Sequence, residues 1–390
     1  MKLISIPFPF KLSLLGVDRI GHLALEPELL LRKKYQKLRG ANCFYILIAD
    51  SHAKAANIYF YNLVKTHFFI LQSYFLFKMI ESFRHNRLIK QFNLIIIYPQ
   101  DFNFGVECAK YGHAPTQIRL PAKDIAYGKE LLRLKFNIDL DKNKIVCIFA
   151  RDSQYLEKMF PNGNWSHHNH RDMDIDTFIK AIDYLCEQGY TVFRLGKVVA
   201  KAVNYHHPNF IDYALTENRS DFLDIFLIYI AYLTIGTPSG ITDLPAVFNK
   251  SYLNLGFTPP FRVPLGENAL YIPKKICFSD SKKELPFNEL LRFFPNIKVR
   301  FPSFDSKDME RLNLSYVENT AEEILVATQE MINRLAGKWQ PSEEEKNLEQ
   351  CYLSHWQLAR SHNFLKSPIA LSWLKMNKHL LEVTGVISYG

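Results

Sequence analysis

The sequence predicts an α/β protein whose parallel sheets are covered on both faces. Short apolar runs bounded by turn residues predict the strands, among them CFYILI at 43–48, LIIIY at 94–98, KIVCIF at 144–149, TVFRL at 191–195 and YLTIG at 232–236. Between them lie stretches with apolar residues at three- and four-residue spacing, such as Ile175, Phe178, Ile179, Ile182 and Leu185. A strand that is apolar throughout is buried on both faces, and regular strand–helix alternation favours a parallel sheet.

The elements follow in chain order. A strand opens at 3–7, and Gly21 precedes a helix over about 23–38. The run 43–48 is a buried strand, 53–80 is a helical pair or one long helix, and 94–98 is a strand ended by Pro99. The stretch 115–140 holds Pro121, Gly128 and the start of a charged run at 139–144, and reads as the end of a first domain. A second α/β pattern then begins with the strand at 144–149 and an amphipathic helix at 174–188, which Gly189 ends as a C-cap glycine. Strands at 191–195, an edge strand at 210–213, a helix at 221–229, a strand at 232–236, a helix at 239–249 and a strand at 251–255 continue it. A helix at 322–335, a linker at 337–345 and a last helix at 368–381 form a helical end. The boundaries this predicts are 1–135, 136–335 and 336–390.

Composition bounds the function classes. With 390 residues and 48% hydrophobic content, the chain can bury sizeable cores without disulfides or metal. The 16 Gly and 19 Pro are too few for a collagenous or low-complexity protein. A net charge of +9 favours an anionic partner, although a merely soluble basic protein has the same balance. No run of five or more Lys/Arg occurs, which speaks against a nucleic-acid arm, and the many aromatics fall within apolar periodic segments where core packing accounts for them. The six cysteines are widely spaced with no CxxC, which fits reduced thiols in a cytoplasmic protein. The stretch HFFILQSYFLFKMI at 67–80 is too short and too interrupted to span a bilayer; it suits a buried or amphipathic helix, or a peripheral membrane contact.

Five constellations carry chemistry. In Asp18-Arg19-Ile20-Gly21-His22, a glycine between strand and helix brings amide N–H groups towards a ligand, or simply makes an ordinary turn. Arg151, in Arg151-Asp152-Ser153, stands just past a strand end, where open α/β sheets bind ligands; it suits a phosphate, or a surface ion pair with Asp152. The run His167-His168-Asn169-His170-Arg171-Asp172 invites a metal reading, but no convergent ligand pattern accompanies it, and Arg171 can share the cleft of Arg151. Arg194-Leu195-Gly196 sets another arginine at the same sheet edge. Ser220-Asp221 precedes a helix, and Gly236-Thr237-Pro238-Ser239-Gly240 ends a buried strand in a hydroxyl- and glycine-rich turn, a natural phosphate seat. Neither GK[ST] nor GxGxxG occurs. Convergence of Arg151, Arg194 and the 237–240 turn on one rim implies a diphosphate ligand, most simply a nucleotide.

The segments RIGHLALEPELLLR (19–32), ARDSQYL (150–156), HRDMDIDTFIKAIDYLCEQGYTVFRLG (170–196), SDFLDIFL (220–227), GTPSGITDLPAVF (236–248) and LSWLKMN (371–377) resemble a family of bacterial glycosyltransferases of the surface-polysaccharide type. The likeness covers nearly the whole chain. More distantly, the pattern is similar to the GT-B fucosyltransferase superfamily. There, Arg19 and Gly21 match an R-x-G-N loop with His22 in place of Asn, Arg151 matches the arginine that binds the donor β-phosphate, Asp221 matches the aspartate of S-D-x-x-D, and Ser239 matches the hydroxyl of the late turn. Phe149 and Asp152 replace that superfamily's histidine and second arginine, which counts against GDP-fucose in particular.

The resemblance implies a GT-B-like fold of two Rossmann-like domains facing a cleft, with the helical tail packing back on the N-terminal domain. It implies a hexosyl or deoxyhexosyl transferase that moves a sugar from a GDP-, UDP- or CMP-sugar to a glycan or lipid-linked acceptor, requires no metal or other cofactor, and works in the cytoplasm or on the inner face of the membrane. Residue placement and the resemblance together give a catalytic set of Arg19, His22 and Arg151, and donor contacts at Gly21, Arg151, Asp152, Arg171, Arg194, Asp221, Thr237, Ser239 and Gly240. His22 serves as a base or acceptor contact, or makes a structural hydrogen bond in the turn. A catalytically inactive relative that binds glycans or scaffolds an assembly has the same sequence features.

Overall fold

Most of the expected apolar runs become parallel strands in the computed structural model, which describes residues 10–36, 44–83, 111, 114–159, 161–258, 268–293, 306–357 and 367–381. The first half runs β1 (Phe10–Leu15), α1 (Ile20–Tyr35), β2 (Phe44–Ala49), α2 (Ile58–His67), β3 (Phe69–Gln72), α3 (Tyr74–Phe83) and α4 (Ala122–Phe136). The second runs β4 (Ile145–Phe149), α5 (Gln154–Met159), α6 (Ile179–Glu187), β5 (Thr191–Arg194), β6 (Phe210–Ile211), α7 (Asp221–Ile230), β7 (Leu233–Gly236), α8 (Leu244–Val247), β8 (Tyr252–Phe257) and β9 (Ala269–Pro273). After it come β10 (Lys275–Phe278), α9 (Phe287–Phe293), α10 (Ser306–Arg311), β11 (Leu314–Val317), α11 (Ala321–Leu335), α12 (Glu343–Gln357) and α13 (Leu371–Met376).

Strands β1, β2 and β3 form one parallel sheet in that order. The larger sheet has the order β6-β5-β4-β7-β8-β9, and every pairing in it is parallel. Numbered from β4, that is the 3-2-1-4-5-6 order of doubly wound sheets, whose direction of winding reverses between the first and fourth strands. Here the reversal falls between β4 and β7. Successive residues of β4 serve opposite faces: Val146 and Ile148 enter one core, and Ile145 and Cys147 the other.

Those two cores explain the architecture. The core containing Val146 and Ile148 is closed by α6, α11 and the C-terminal helices. The core containing Ile145 and Cys147 is continuous with Leu23 and Leu29 of α1 and Phe60 and Val64 of α2. The two halves therefore share buried apolar surface. The strongest polar tie between them lies on α1, where Glu28 and Arg32 form a fully buried ion pair at 2.7 Å. Arg32 Nη2 donates to the carbonyls of Ala246 (3.1 Å) and Val247 (2.8 Å) at the C-terminus of α8. Glu28 accepts from the Gln117 and Ile118 amides at 2.9 and 2.8 Å. Every charge in this pair is thus hydrogen-bonded, the condition under which a buried pair is tolerated.

Several expectations are corrected. Within the stretch 115–140, residues 122–136 form helix α4, entered from Pro121 and closed by Asn137 in the left-handed region (φ 55°). Gly128 is no breaker there: a Cβ at that position would sit 2.5 Å from the ring of Phe226 on α7, so the glycine allows two helices to meet. The stretch 53–80 contains strand β3, whose Phe69-Ile70-Leu71 pair with β2. The stretch 239–249 breaks into a 3₁₀ turn (Gly240–Asp243) and the short α8, with Pro245 inside. The described tail packs on the second half, not the first. Ala370 N donates to Tyr271 O on β9 at 2.9 Å, the Tyr352 and Tyr271 hydroxyls meet at 2.8 Å, and Trp373 is fully buried against that core. The last helix is only Leu371–Met376 followed by a 3₁₀ turn. The strands expected at 3–7 and 94–98 lie outside the described residues. Gly189 ends α6 with φ +80°, as the sequence predicts.

Cys147, Cys186, Cys277 and Cys351 are free thiols. No described helix is long and apolar enough to cross a membrane. In the 67–80 region, Phe69, Tyr74, Phe75 and Met79 are exposed and only Ile80 of α3 is buried, so most of this stretch is surface and not core.

Removing one partner of the Glu28–Arg32 pair strands the other charge in the core. Arg32→Ala is expected to lower the unfolding free energy by about 3–5 kcal/mol. Urea denaturation followed by far-UV circular dichroism checks this; a loss below about 1 kcal/mol would remove the pair from its place in the fold.

Candidate functional site

The site is built at the winding reversal. Strands β4 and β7 run side by side with Phe149 opposite Gly236. A Cβ at Gly236 would lie 2.8 Å from Phe149 O, so the close approach of the two strand ends requires glycine. One step further on, the Arg151 amide donates to Thr237 Oγ1 at 2.8 Å, and the Thr237 amide donates back to Phe149 O at 3.2 Å. The structure thus brings Arg151 and the 237–240 turn together beyond the carboxyl ends of adjacent strands.

The Arg151 guanidinium is held through Nη1. Nη1 donates to His168 O at 3.2 Å and is paired with the Asp172 carboxylate. Nη2 is buried with no hydrogen-bond partner, although Arg151 as a whole is only 7% exposed. An unpaired buried donor on a cation is costly unless an anion completes it. Burial, and with it the like charge of Arg19, pulls the Arg151 guanidinium down to about 10, against the opposing pull of Asp152. Lys274, at the end of β9, is buried behind the same carboxylate residue. Its Nζ donates to Asp172 O (2.7 Å) and Glu318 Oε1 (2.5 Å), while burial and the Arg151 charge lower its pKa.

The first half brings the start of α1 to the same turn. Helix α1 begins with Arg19 at its N-cap, and the Arg19 side chain does not cap the helix. Its guanidinium instead lies over the Trp165 ring, 5.0 Å from the centroid. Gly21 packs on the 3₁₀ turn: a Cβ there would fall 2.6 Å from Asp243 Oδ2, and a Cβ on Gly240 would fall 2.6 Å from Gly21 N. Two glycines from different halves therefore touch backbone to backbone. The positive end of a 16-residue helix is brought to the turn after β7. The helix start expected at Ser239 contributes little of this kind, since a four-residue 3₁₀ turn begins there, closed by Thr242 Oγ1 accepting from Ser239 N at 3.0 Å. The dipole comes from α1.

His22, one residue on, bonds Glu26 through Nδ1 at 2.6 Å. That hydrogen bond raises the His22 pKa, burial opposes it, and the Asp243 carboxylate adds to the rise.

Three of the expected contacts are committed elsewhere. Arg194 is 1% exposed and is paired with Asp212 Oδ1 at 3.0 Å, with Nη2 on Lys201 O at 3.2 Å, so these two nitrogens brace the loop beside β6, while its Nε is buried without a hydrogen-bond partner. Asp152 accepts from the Gln154 and Ala200 amides at 3.1 and 2.9 Å, tying two loops. Asp221 accepts from Ile58 N at 2.8 Å at the start of α2, and its carbonyl accepts from Asn57 Nδ2 at 2.7 Å, so it joins the halves. Arg171 ends the 3₁₀ stretch Ser166–Arg171 that carries His168 O beneath Arg151. On that stretch His168 stacks on Trp165 and His170 on Tyr316. Among the described residues no group of three or more His, Cys, Asp or Glu is placed to hold a metal.

Residues that sequence reasoning passed over include Glu26, Trp165, Asp172 and Lys274. The i, i+4 spacing of His22 and Glu26 is the one signal that was available. A separate depression of about 510 Å³, lined in part by Tyr205, His207, Phe210 and Asp212, flanks the edge strand β6 and contains none of Arg19, Arg151 or the 237–240 turn.

The two arginines are expected to behave differently on substitution. Arg194→Ala leaves Asp212 without its cation and should cost about 3–5 kcal/mol of stability, with anion affinity of the folded protein unchanged within about twofold. Thermal unfolding with pyrophosphate titration checks both; weakened pyrophosphate binding at full stability would return Arg194 to the site.

No protein-family model and no curated protein matches the chain. Among solved structures, it is similar to the glycosyl transferase family 9 protein from Veillonella parvula DSM 2008 at 9% identity, over 85% of this chain and 99% of that one, with a TM-score of 0.45. It is also similar to the iron-containing dodecameric glycosyltransferase TibC from enterotoxigenic E. coli H10407 (12% identity, 84% and 76% coverage, TM-score 0.40). A third is the E. coli ADP-heptose lps heptosyltransferase II (12% identity, 67% and 90% coverage, TM-score 0.35). At these scores the functional reading rests on the geometry of the site and not on the likenesses.

Proposed function

We propose that the chain is a glycosyltransferase that takes a sugar from a nucleotide-sugar donor, with the diphosphate seated between Arg151, the 237–240 turn and the start of α1. The observation that carries this reading is the buried, partnerless Nη2 of Arg151 at the reversal between β4 and β7. A diphosphate oxygen supplies the missing acceptor, and a charge-assisted bond of this kind is among the stronger hydrogen bonds. Arg19 and Arg151 bear like charges on each other, so an anion between them relieves repulsion as well.

The same groups assist the reaction. As the bond between the anomeric carbon and the diphosphate breaks, negative charge grows on the leaving phosphate. Arg151 and the α1 amides are already in place and neutralise it without reorganisation. In this reading they do the work that a divalent cation does elsewhere, and the transfer needs no metal. Thr237 holds the backbone of Arg151, and Asp172 aims its guanidinium; both act by position. The acceptor is a glycan or a lipid-linked carrier entering from the first half. The exposed Phe69, Tyr74, Phe75 and Met79 of that half would meet a membrane surface carrying such an acceptor.

Calorimetry with ADP, GDP, UDP and CMP tests the donor site. At least one should bind the wild type, and Arg151→Ala should weaken it about 10- to 100-fold, the equivalent of about 1.5–3 kcal/mol. Equal affinity in both proteins, or no binding to the wild type, would overturn the assignment. Binding without donor turnover in any acceptor screen would favour the inactive, glycan-binding reading.

A further inference from the structure

We propose that Glu26 is the positioning residue for His22, and that the pair receives the proton of a hydroxyl acceptor. The inference rests on the donor-site reading and assigns the other half of the reaction.

The geometry is local and specific. His22 and Glu26 stand four residues apart on α1, so they share one face of the helix. Nδ1 and Oε1 are 2.6 Å apart. Glu26 is 6% exposed, and its hydrogen bond goes to His22. A carboxylate buried in that way is an expensive group to keep unless it is used. With Nδ1 bound to Glu26 as donor, the neutral ring carries its lone pair on Nε2. The ring is not enclosed: the side chain is 42% exposed. It lies over Gly16, after β1, where a Cβ would come within 3.2 Å of His22 Cβ; the absence of a side chain at Gly16 leaves the ring its place.

The placement ties the pair to the donor seat. Gly21, the preceding residue, makes the backbone contact with Gly240. The charged groups facing His22 are Glu26 and Arg19 on α1 and Asp243 on the turn across from it. Glu26 and Asp243 favour the imidazolium, and Arg19 opposes it. Burial raises the Glu26 pKa, and the bond to His22 holds it back.

In the step assigned here, the acceptor oxygen forms a bond to the anomeric carbon. The bond from that carbon to the phosphate oxygen breaks, and its electron pair leaves with the nucleoside diphosphate. The acceptor's hydroxyl proton passes to His22 Nε2. The resulting imidazolium is held at Nδ1–H by the Glu26 carboxylate, which keeps its charge.

The test compares wild type with Glu26→Gln and Glu26→Asp. Ring ¹H–¹⁵N NMR should show the Nδ1–H tautomer of His22 in the wild type, with a titration midpoint that falls in Glu26→Gln. With donor and acceptor, Glu26→Gln should lose about 100-fold in kcat with KM little changed. Because the base acts when deprotonated, activity rises with pH through the His22 midpoint, and that limb should move to lower pH in Glu26→Gln. Glu26→Asp should recover part of kcat. Nucleoside diphosphate affinity should stay within about twofold in both variants, which separates this inference from the donor site. An Nε2–H tautomer, an unmoved midpoint or an unchanged kcat would overturn the proposal. Wild-type protein that binds nucleotide but turns over no donor would overturn the proton-transfer role while leaving the donor seat intact.

Discussion

Backbone contact between Gly21 and Gly240 is the constraint on which the rest of the structure depends. It puts the first turn of α1 against the turn that follows β7, at a distance no residue with a side chain allows. About two to three helical turns along, the Glu28–Arg32 pair fastens the same helix to the end of α8 and to the 117–118 backbone. Helix α1 is thus pinned at two points to segments of the other half. Its apolar residues Leu23, Leu29 and Leu30 complete a core that also contains Ile145, Phe226 and Val247. Close packing of that kind transmits position, so the N-terminal amides of α1, Arg19 and His22 are fixed relative to Arg151.

The electrostatics of the site follow from that placement. Arg151, Arg19 and Lys274 all bear on one small region, and Asp172 is the carboxylate residue to which Arg151 and Lys274 both connect. Arg151 is paired with Asp172 and Lys274 with Glu318, yet Arg151 Nη2 is left without a hydrogen-bond partner. A buried donor of this kind costs stability, and an anion that completes it offsets the cost. In the proposed transfer these charges would not need to move, which is where preorganised sites gain most of their rate. On the other side of Gly21, His22 is hydrogen-bonded to the buried Glu26, and the proposed base stands next to the proposed leaving-group seat.

Much of the second half was legible in the sequence. Strands β4, β5, β7 and β8 are apolar runs of strand length with turn residues beside them, and their parallel pairing follows from the helices between them. Because ligand sites in open sheets lie beyond the carboxyl ends of strands, Arg151 and Thr237 were findable together without coordinates. Arg194 shows the limit of the same rule. It too ends a strand, but Asp212, just past β6, is next to Arg194 in space and not in sequence, and that pairing cannot be read from spacing. Gly128 is another case: within a helix it signals a break, and only the ring of Phe226 on α7 explains it. The helix dipole was assigned to Ser239 for want of the tertiary contact that brings α1 there. Asp221, matched by resemblance to a donor contact, turned out to hold the start of α2. The tail was misplaced because its apolar residues, Leu371, Trp373 and Leu374, fit either core, and the choice is made by the backbone bridge between Ile369 and Tyr271.

The account stands most directly on where a diphosphate settles. A crystal structure of the protein with the nucleoside diphosphate that binds it best should show a phosphate oxygen within hydrogen-bond distance of Arg151 Nη2, facing the 237–240 turn and the first turn of α1. A diphosphate bound instead in the depression beside Tyr205 and Phe210, with Arg151 Nη2 still unpartnered, would contradict it.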